Sequence, residues 1–183
     1  GTARVADHKA VGLQYLGGAL TLRAAAYRTD TRDLVVYDAA TARVQNLDDA
    51  RMTGGELIAA WSQGPWRIGA NASLLRAVDR ATGQRLLRRA RWTTNLALGY
   101  DPGAWNAGVE VSAVSPRDDA DINTFQAVAL ARYTVVRGLA AWRLTPAVTL
   151  RARVENVFDE RYELVHGYNV QPRTVIVGID CRH

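Results

Sequence analysis

Four stretches of this chain alternate apolar with polar or very small residues at a period of two. The apolar sets are Leu20, Leu22, Ala24, Ala26; Trp66, Ile68, Ala70, Ala72, Leu74; Trp105, Ala107, Val109, Val111, Ala113; and Val148, Leu150, Ala152, Val154. Between them stand residues such as Arg67, Asn71, Ser73, Asn106, Glu110, Ser112, Arg151, Arg153 and Glu155. Successive strand side chains point to opposite faces, so each stretch reads as a strand with one apolar and one polar face. Turn residues fall at Gly17-Gly18, Gly64-Pro65, Asp101-Pro102-Gly103 and Thr145-Pro146, as hairpins require. Long polar segments alternate with them, at 31–50, 77–90, 114–131 and 158–171. The pattern is strand, tight turn, strand, long loop, repeated, with a last strand near 173–182. It predicts an all-β fold of about nine antiparallel strands in up-and-down order, without a domain boundary within 1–183.

The aromatic residues decide between two such folds. Tyr15 precedes the first tight turn, Trp61 and Trp66 flank the second, Tyr100 and Trp105 flank the third, and Trp142 precedes the fourth. If the tight turns share one end of the sheet, these rings form a belt there. Amphipathic rings suit the headgroup level of a bilayer, and short turns on one side with long loops on the other is the asymmetry of outer-membrane barrels. A soluble antiparallel sandwich would alternate too, but would need neither the belt nor the one-sided loops. Mean hydropathy is −0.15, and no run of about 18 apolar residues is present, which excludes a transmembrane helix. The reading is a transmembrane β-barrel of the outer membrane.

Nine is an awkward number for such a barrel. Single-chain bacterial barrels have an even strand count, and an unpaired backbone group in lipid costs several kcal/mol (about 2–7). The chain is therefore expected to be the C-terminal part of a larger barrel. Its opening Gly-Thr-Ala-Arg lacks an apolar signal segment, which fits either a processed terminus or an interior piece. The net charge of +5 rests on arginines spread along the chain, with Lys9 the single lysine. No compact basic patch interleaved with aromatics is evident, so nucleic acid is not an expected partner. Cys181 is alone, and His8, His166 and His183 have no metal-ligand spacing. No nucleophile–base constellation and no phosphate-cradling glycine loop points to catalysis, and no cofactor is expected.

One further stretch, Val154 to Asn169, reads VENVFDERYELVHGYN. Its Asn156-Val157-Phe158-Asp159, Tyr162 and Gly167-Tyr168, with Pro172-Arg173 beyond, resemble the C-terminal signature of TonB-dependent outer-membrane receptors. Ala26-Tyr27-Arg28-Thr29-Asp30 with Arg32-Asp33-Leu34-Val35 and the segment NLDDARMTGGE from Asn46 to Glu56 extend the resemblance. Within the family the nearest likeness is to cobalamin transporters, through Leu86-Leu87-Arg88-Arg89-Ala90 and through ERYELVHGY from Glu160 to Tyr168. The resemblance implies a 22-stranded barrel with an N-terminal plug in its lumen, of which this chain is about the last third and from which the plug is missing. It implies energised uptake of cobalamin or a related corrinoid across the outer membrane, driven by the TonB complex acting on that plug. A ferric siderophore or another chelate is the alternative ligand. A smaller outer-membrane barrel serving as adhesin or enzyme is the alternative class. The family's last strand usually closes on alternating aromatics; Cys181 and His183 stand at those positions here.

Several residues invite chemistry. Arg76, Arg80, Arg85, Arg88, Arg89 and Arg91 make a basic loop suited to lipopolysaccharide phosphates, to an anionic ligand or to plain solvent. By resemblance, Arg88 is the residue expected beside the bound ligand, where its guanidinium would donate to amide carbonyls or phosphate. Asp119, Asp121 and Asn123 open like a calcium loop, but Thr124 and Leu130 stand where Gly and Glu are required, so a solvated loop is preferred. Asp159, Glu160 and Glu163 read as loop carboxylates rather than as an acid/base group. Glu56, Arg67, Glu110, Arg137, Arg143, Arg151, Arg153 and Glu155 are expected to line the lumen and to pair with one another or with the plug.

Overall fold

A computed structural model describes residues 6–38, 43–121, 123–124 and 126–181, with the side chains at 33–48 and 169 outside the description. The expectations for Asp33-Leu34-Val35, part of Asn46–Glu56, and His183 fall at least partly on residues so excluded. The strands are β1 (Ala6–Gly17), β2 (Leu20–Asp38), β3 (Arg43–Gln63), β4 (Trp66–Asp79), β5 (Trp92–Tyr100), β6 (Trp105–Val114), β7 (Arg117–Ala120), β8 (Ala127–Leu130), β9 (Tyr133–Thr145), β10 (Val148–Glu155), β11 (Glu163–Val165), β12 (Tyr168–Asn169) and β13 (Thr174–Cys181). Nine of them form one sheet in the order β1-β2-β3-β4-β5-β6-β9-β10-β13, every neighbouring pair antiparallel. The sheet is open, with β1 and β13 at its edges. The pairs β7·β8 and β11·β12 are separate small hairpins.

The register sorts the side chains as the alternation predicts. Tyr15 lies opposite Leu22, Leu20 opposite Trp61, Trp66 opposite Tyr100, Tyr100 opposite Ala107, and Trp105 opposite Trp142. All occupy one face at the tight-turn end, so the belt forms, with three of its rings in contact: Trp66 to Tyr100 is 4.5 Å and Tyr100 to Trp105 5.3 Å between centroids. The same face carries Leu13, Leu57, Ile68, Leu96, Leu98, Val109, Leu150, Val177 and Ile179. It is uncovered: Leu13 is 80% exposed, and among the described residues the buried apolar side chains are three alanines and Leu130. A sheet this apolar on an open face is not a structure for water; lipid is the solvent that such a face matches. Gly18 and Gly64 have φ of 50° and 56°, the left-handed values that two-residue hairpin loops demand.

The opposite face is polar and internally bonded. Ser112 Oγ donates to Asn95 Oδ1 (2.6 Å), and Asn95 Nδ2 donates to Asn71 Oδ1 (2.9 Å). Arg137 reaches Glu110 (2.7 Å) and Glu155 (2.5 Å), tying β6, β9 and β10 together. Arg153 pairs with Glu155 (3.0 Å), Arg67 with Asp101 (3.5 Å), and Arg151 with Asp180. Glu56 and Arg143 share this face by register. On this same face Tyr27 covers Gly54, so that a side chain at 54 would meet the ring.

Three of the four expected long loops need correction. Residues 31–50 are not a loop: β2 continues to Asp38 and β3 starts at Arg43, paired in register to the end. At about 3.3 Å per residue, the 19 residues of β2 far outrun the apolar band of about 25 Å. Beyond the lipid a hairpin needs no apolar face, so polar composition there does not signal a loop. Likewise 114–131 and 158–171 contain the hairpins β7·β8 and β11·β12. Cys181 lies opposite Val148 on the apolar face.

Candidate functional site

The end of the sheet away from the tight turns carries the long connections, and three of them meet around Asp119. The segment between β6 and β9 rises through β7, where Arg117 and Asp119 are both turned inward; Asp119 has no exposed surface and Arg117 is 8% exposed. Asp119 Oδ1 accepts from Arg88 Nε (2.6 Å) and from the Ala120 amide (2.8 Å), and Oδ2 accepts from the His166 amide (2.9 Å). Arg117 Nη2 donates to the carbonyls of Glu163 (2.5 Å) and Leu164 (3.0 Å). Its guanidinium lies 5.5 Å over the Tyr133 ring, a cation–π contact, and Tyr133 stacks on Tyr162 at 4.1 Å. One carboxylate and one guanidinium, two residues apart in β7, thus hold the 80–91 loop and the β11·β12 hairpin to the same support.

The electrostatics follow. Burial works against the charge on Asp119, yet the His166 amide, the Arg88 guanidinium and the Ala120 amide outweigh it and keep the carboxyl below the usual carboxylate range. Amides of Thr124 and Asn123 lower Asp121 in the same way. His166 sits between Asp121 (3.3 Å) and Glu163 (3.2 Å). The two aspartates of the calcium-like spacing are therefore engaged with donors of the chain, and among the described residues no group of three His, Cys, Asp or Glu is placed to hold a metal.

Arg88 is in the middle of this arrangement. It has φ of 60°, its amide donates to the Asp118 carbonyl (2.7 Å), and its side chain stays 53% exposed while Nε holds Asp119. The guanidinium is anchored and still presents surface to the solvent at the loop end of the sheet. Ser115 fixes the base of the loop: its Oγ accepts from the amides of Arg91 (2.8 Å) and Trp92 (3.2 Å).

The Asn-Val-Phe-Asp stretch acquires a physical meaning here. Asn156 and Asp159 have φ of 51° and 54°, values that Asn and Asp tolerate better than other side chains. Asn156 bonds both the amide (2.8 Å) and the carbonyl (2.9 Å) of Glu160, and Asp159 accepts from the Arg173 amide (2.8 Å). The loop is pinned at both ends by its own first turn. Replacing Asn156 by alanine removes these bonds from a site 4% exposed and strains the left-handed backbone, an expected loss of about 2–3 kcal/mol. Glycine there should lose only the hydrogen-bond share. Guanidinium unfolding of the lipid-reconstituted receptor measures both; equal losses for the two variants would remove the backbone part of the account.

Sequence reasoning named Arg88 and the carboxylates but missed Arg117, Ser115 and Tyr133. Their spacing inside an apparently polar loop carried no signal of burial.

With this geometry in view, comparison with known proteins is direct. A profile described as TonB dependent receptor-like, beta-barrel matches residues 4–157. Among solved structures, a copper transporter, OprC, is 26% identical with a TM-score of 0.82 over 97% of this chain and 31% of its own. The ferric yersiniabactin uptake receptor FyuA of Yersinia pestis is 22% identical with a TM-score of 0.76, covering 96% of this chain and 28% of its own. The pyoverdine receptor FpvA of Pseudomonas aeruginosa is 16% identical with a TM-score of 0.82, covering 98% and 30%. The chain spans about a third or less of the length of these proteins. The lipid-facing belt, the one-sided loops and the profile over most of its length agree: the chain belongs to the TonB-dependent receptor β-barrel family.

Proposed function

We propose that this chain forms part of an outer-membrane receptor for energised uptake of a metal chelate, of which a ferric siderophore is the leading candidate. The loop cluster around Asp119 is the observation that carries the reading. It presents Arg88 half-exposed at the mouth, on a support that keeps the guanidinium in place. An anionic chelate or its carbonyl oxygens would accept from that side chain. The similarity to receptors whose names give copper, ferric yersiniabactin and pyoverdine supports the chelate class. Energy would come from the TonB complex acting through a plug in the lumen, whose wall would be the polar face with Arg137, Arg151 and Arg153. The basic loop 80–91, with Arg80, Arg85, Arg89 and Arg91, would add affinity for anionic ligands.

Cobalamin is the second reading, favoured by Leu86–Ala90 and by Glu160–Tyr168, which resemble cobalamin transporters. The two are separated by measuring binding of cyanocobalamin and of a panel of ferric siderophores to outer membranes that carry the full-length receptor. Saturable binding of one ferric chelate, weakened about tenfold by Arg88→Ala, is the expected result. Asp119→Asn, which undoes the anchor but keeps the guanidinium, should weaken it less. Saturable cyanocobalamin binding instead would make the second reading the function; binding of neither by well-expressed receptor would sink both.

A further inference from the structure

We infer that the outer face of β1–β4, immediately beyond the apolar band, is a binding site for the phosphorylated headgroup of an outer-leaflet lipid. The inference rests on the outer-membrane reading above but not on which ligand is taken up. It uses residues on the face opposite the lumen, so it is separate from the mouth.

The register defines the site. Val11, Ala26, Gly55 and Leu74 form one cross-strand row of the outer face, the last wholly apolar row on the side away from the tight turns. The next row is Lys9, Arg28, Thr53 and Arg76: three cations and a hydroxyl, with no acid among them. Beyond it come Asp7, Asp30, Arg51 and Val78. Strands lie about 4.8 Å apart, so Lys9 and Arg28 are neighbours and Arg76 is about 10 Å from Arg28. Phosphate oxygens of one headgroup can span such a row. Asp30 acts as a positioning group, accepting from Arg28 Nε (2.8 Å) and Arg51 Nε (2.6 Å). Lys9 is near Asp7 at 3.5 Å, with its side chain 77% exposed. Among the described residues no carboxylate is within ion-pair distance of Arg76, which is exposed.

Two features select a lipid rather than a protein or a soluble anion. The cations sit at the far end of the same apolar face whose near end carries the aromatic belt, which is the height of the other headgroup layer. The row beneath them is apolar, and its middle members Ala26 and Gly55 are small between Val11 (69% exposed) and Leu74 (64%). That is a shallow trough for acyl chains directly under a row for phosphate.

The test uses the full-length receptor in bilayers of zwitterionic lipid. The probe is fluorescent lipid A bearing both phosphates, compared with the same lipid dephosphorylated and with inorganic phosphate. The wild type should bind the phosphorylated form at least about tenfold more tightly than the dephosphorylated one. Lys9→Gln/Arg28→Gln/Arg76→Gln should erase that preference. Arg67→Gln/Arg143→Gln/Arg151→Gln, the same change of charge on the lumen face, should keep it. If the outer-face triple variant fails to fold, Arg76→Gln alone, exposed and outside any ion pair, should still lower the preference. Equal binding of both lipid forms by the wild type, equal loss in the lumen variant, or phosphate binding as tight as lipid binding would each overturn the assignment. An unchanged preference in Arg76→Gln would do the same. Ligand uptake measured in parallel tests the receptor reading separately.

Discussion

Asp119→Ala is expected to release the 80–91 loop and the β11·β12 hairpin together while the nine-stranded sheet stays intact. The substitution leaves the Arg88 guanidinium and the amides of Ala120 and His166 without their common acceptor. Breaking a buried ion pair from one side costs about 3–5 kcal/mol. Arg88 keeps half its surface in water, which puts the expected value near the lower end, about 3 kcal/mol. Native-state hydrogen exchange should show the His166 amide losing about two orders of magnitude of protection, with the amides of β5 and β6 unchanged. Exchange that rises in one loop alone would refute a shared anchor. The same carboxylate sets a pH limit. Its pKa is depressed on folding, so its contribution is complete above the unfolded value of about 3.9 and disappears as pH falls through the lower folded value. Protection at His166 should be flat from pH 7 to about 4 and fall below that.

Leu96→Arg should be nearly as costly for a different reason. Leu96 lies mid-strand on the lipid face between Ala70 of β4 and Val111 of β6, 49% exposed to what is lipid in the assembled receptor. A charge at the midplane of a membrane barrel costs about 2–4 kcal/mol. Ala97→Arg, one residue on, enters the polar face opposite Glu110 and should cost less than about 1 kcal/mol. Unfolding of the reconstituted receptor in guanidinium gives both numbers. Equal costs at 96 and 97 would mean that the faces are assigned wrongly.

These two sites differ in how readable they were. The lipid face was legible because alternation and turn chemistry are local: Ile68, Ala70 and Ala72 declare a face within five residues, and Gly64-Pro65 declares the turn. The tryptophans declared which end is which. Cross-strand partners were not legible, because Arg137 meets Glu110 and Glu155 only once the register is known. The mouth was harder still. Arg88 and Asp119 are 31 residues apart, and His166 is 47 from Asp119. Nothing in the local pattern of RDDADIN says that its second aspartate is buried. The β2·β3 extension was misread for the opposite reason: a hairpin in water has no burial period to display.

The division into tight turns at one end and long connections at the other also has an evolutionary consequence. Each long connection starts and ends on strands hydrogen-bonded to each other, so its ends are fixed about 5 Å apart whatever lies between. Lengthening such a connection is cheap: each doubling adds only about 0.6 kcal/mol of closure entropy. The turns at the belt have less such freedom, since three of them have two residues and the fourth, Asp101–Ala104, has four. Variation in this architecture should therefore accumulate at one pole, where a new ligand specificity can be tried by exchanging a loop while the wall, its register and its seat in the bilayer are inherited unchanged.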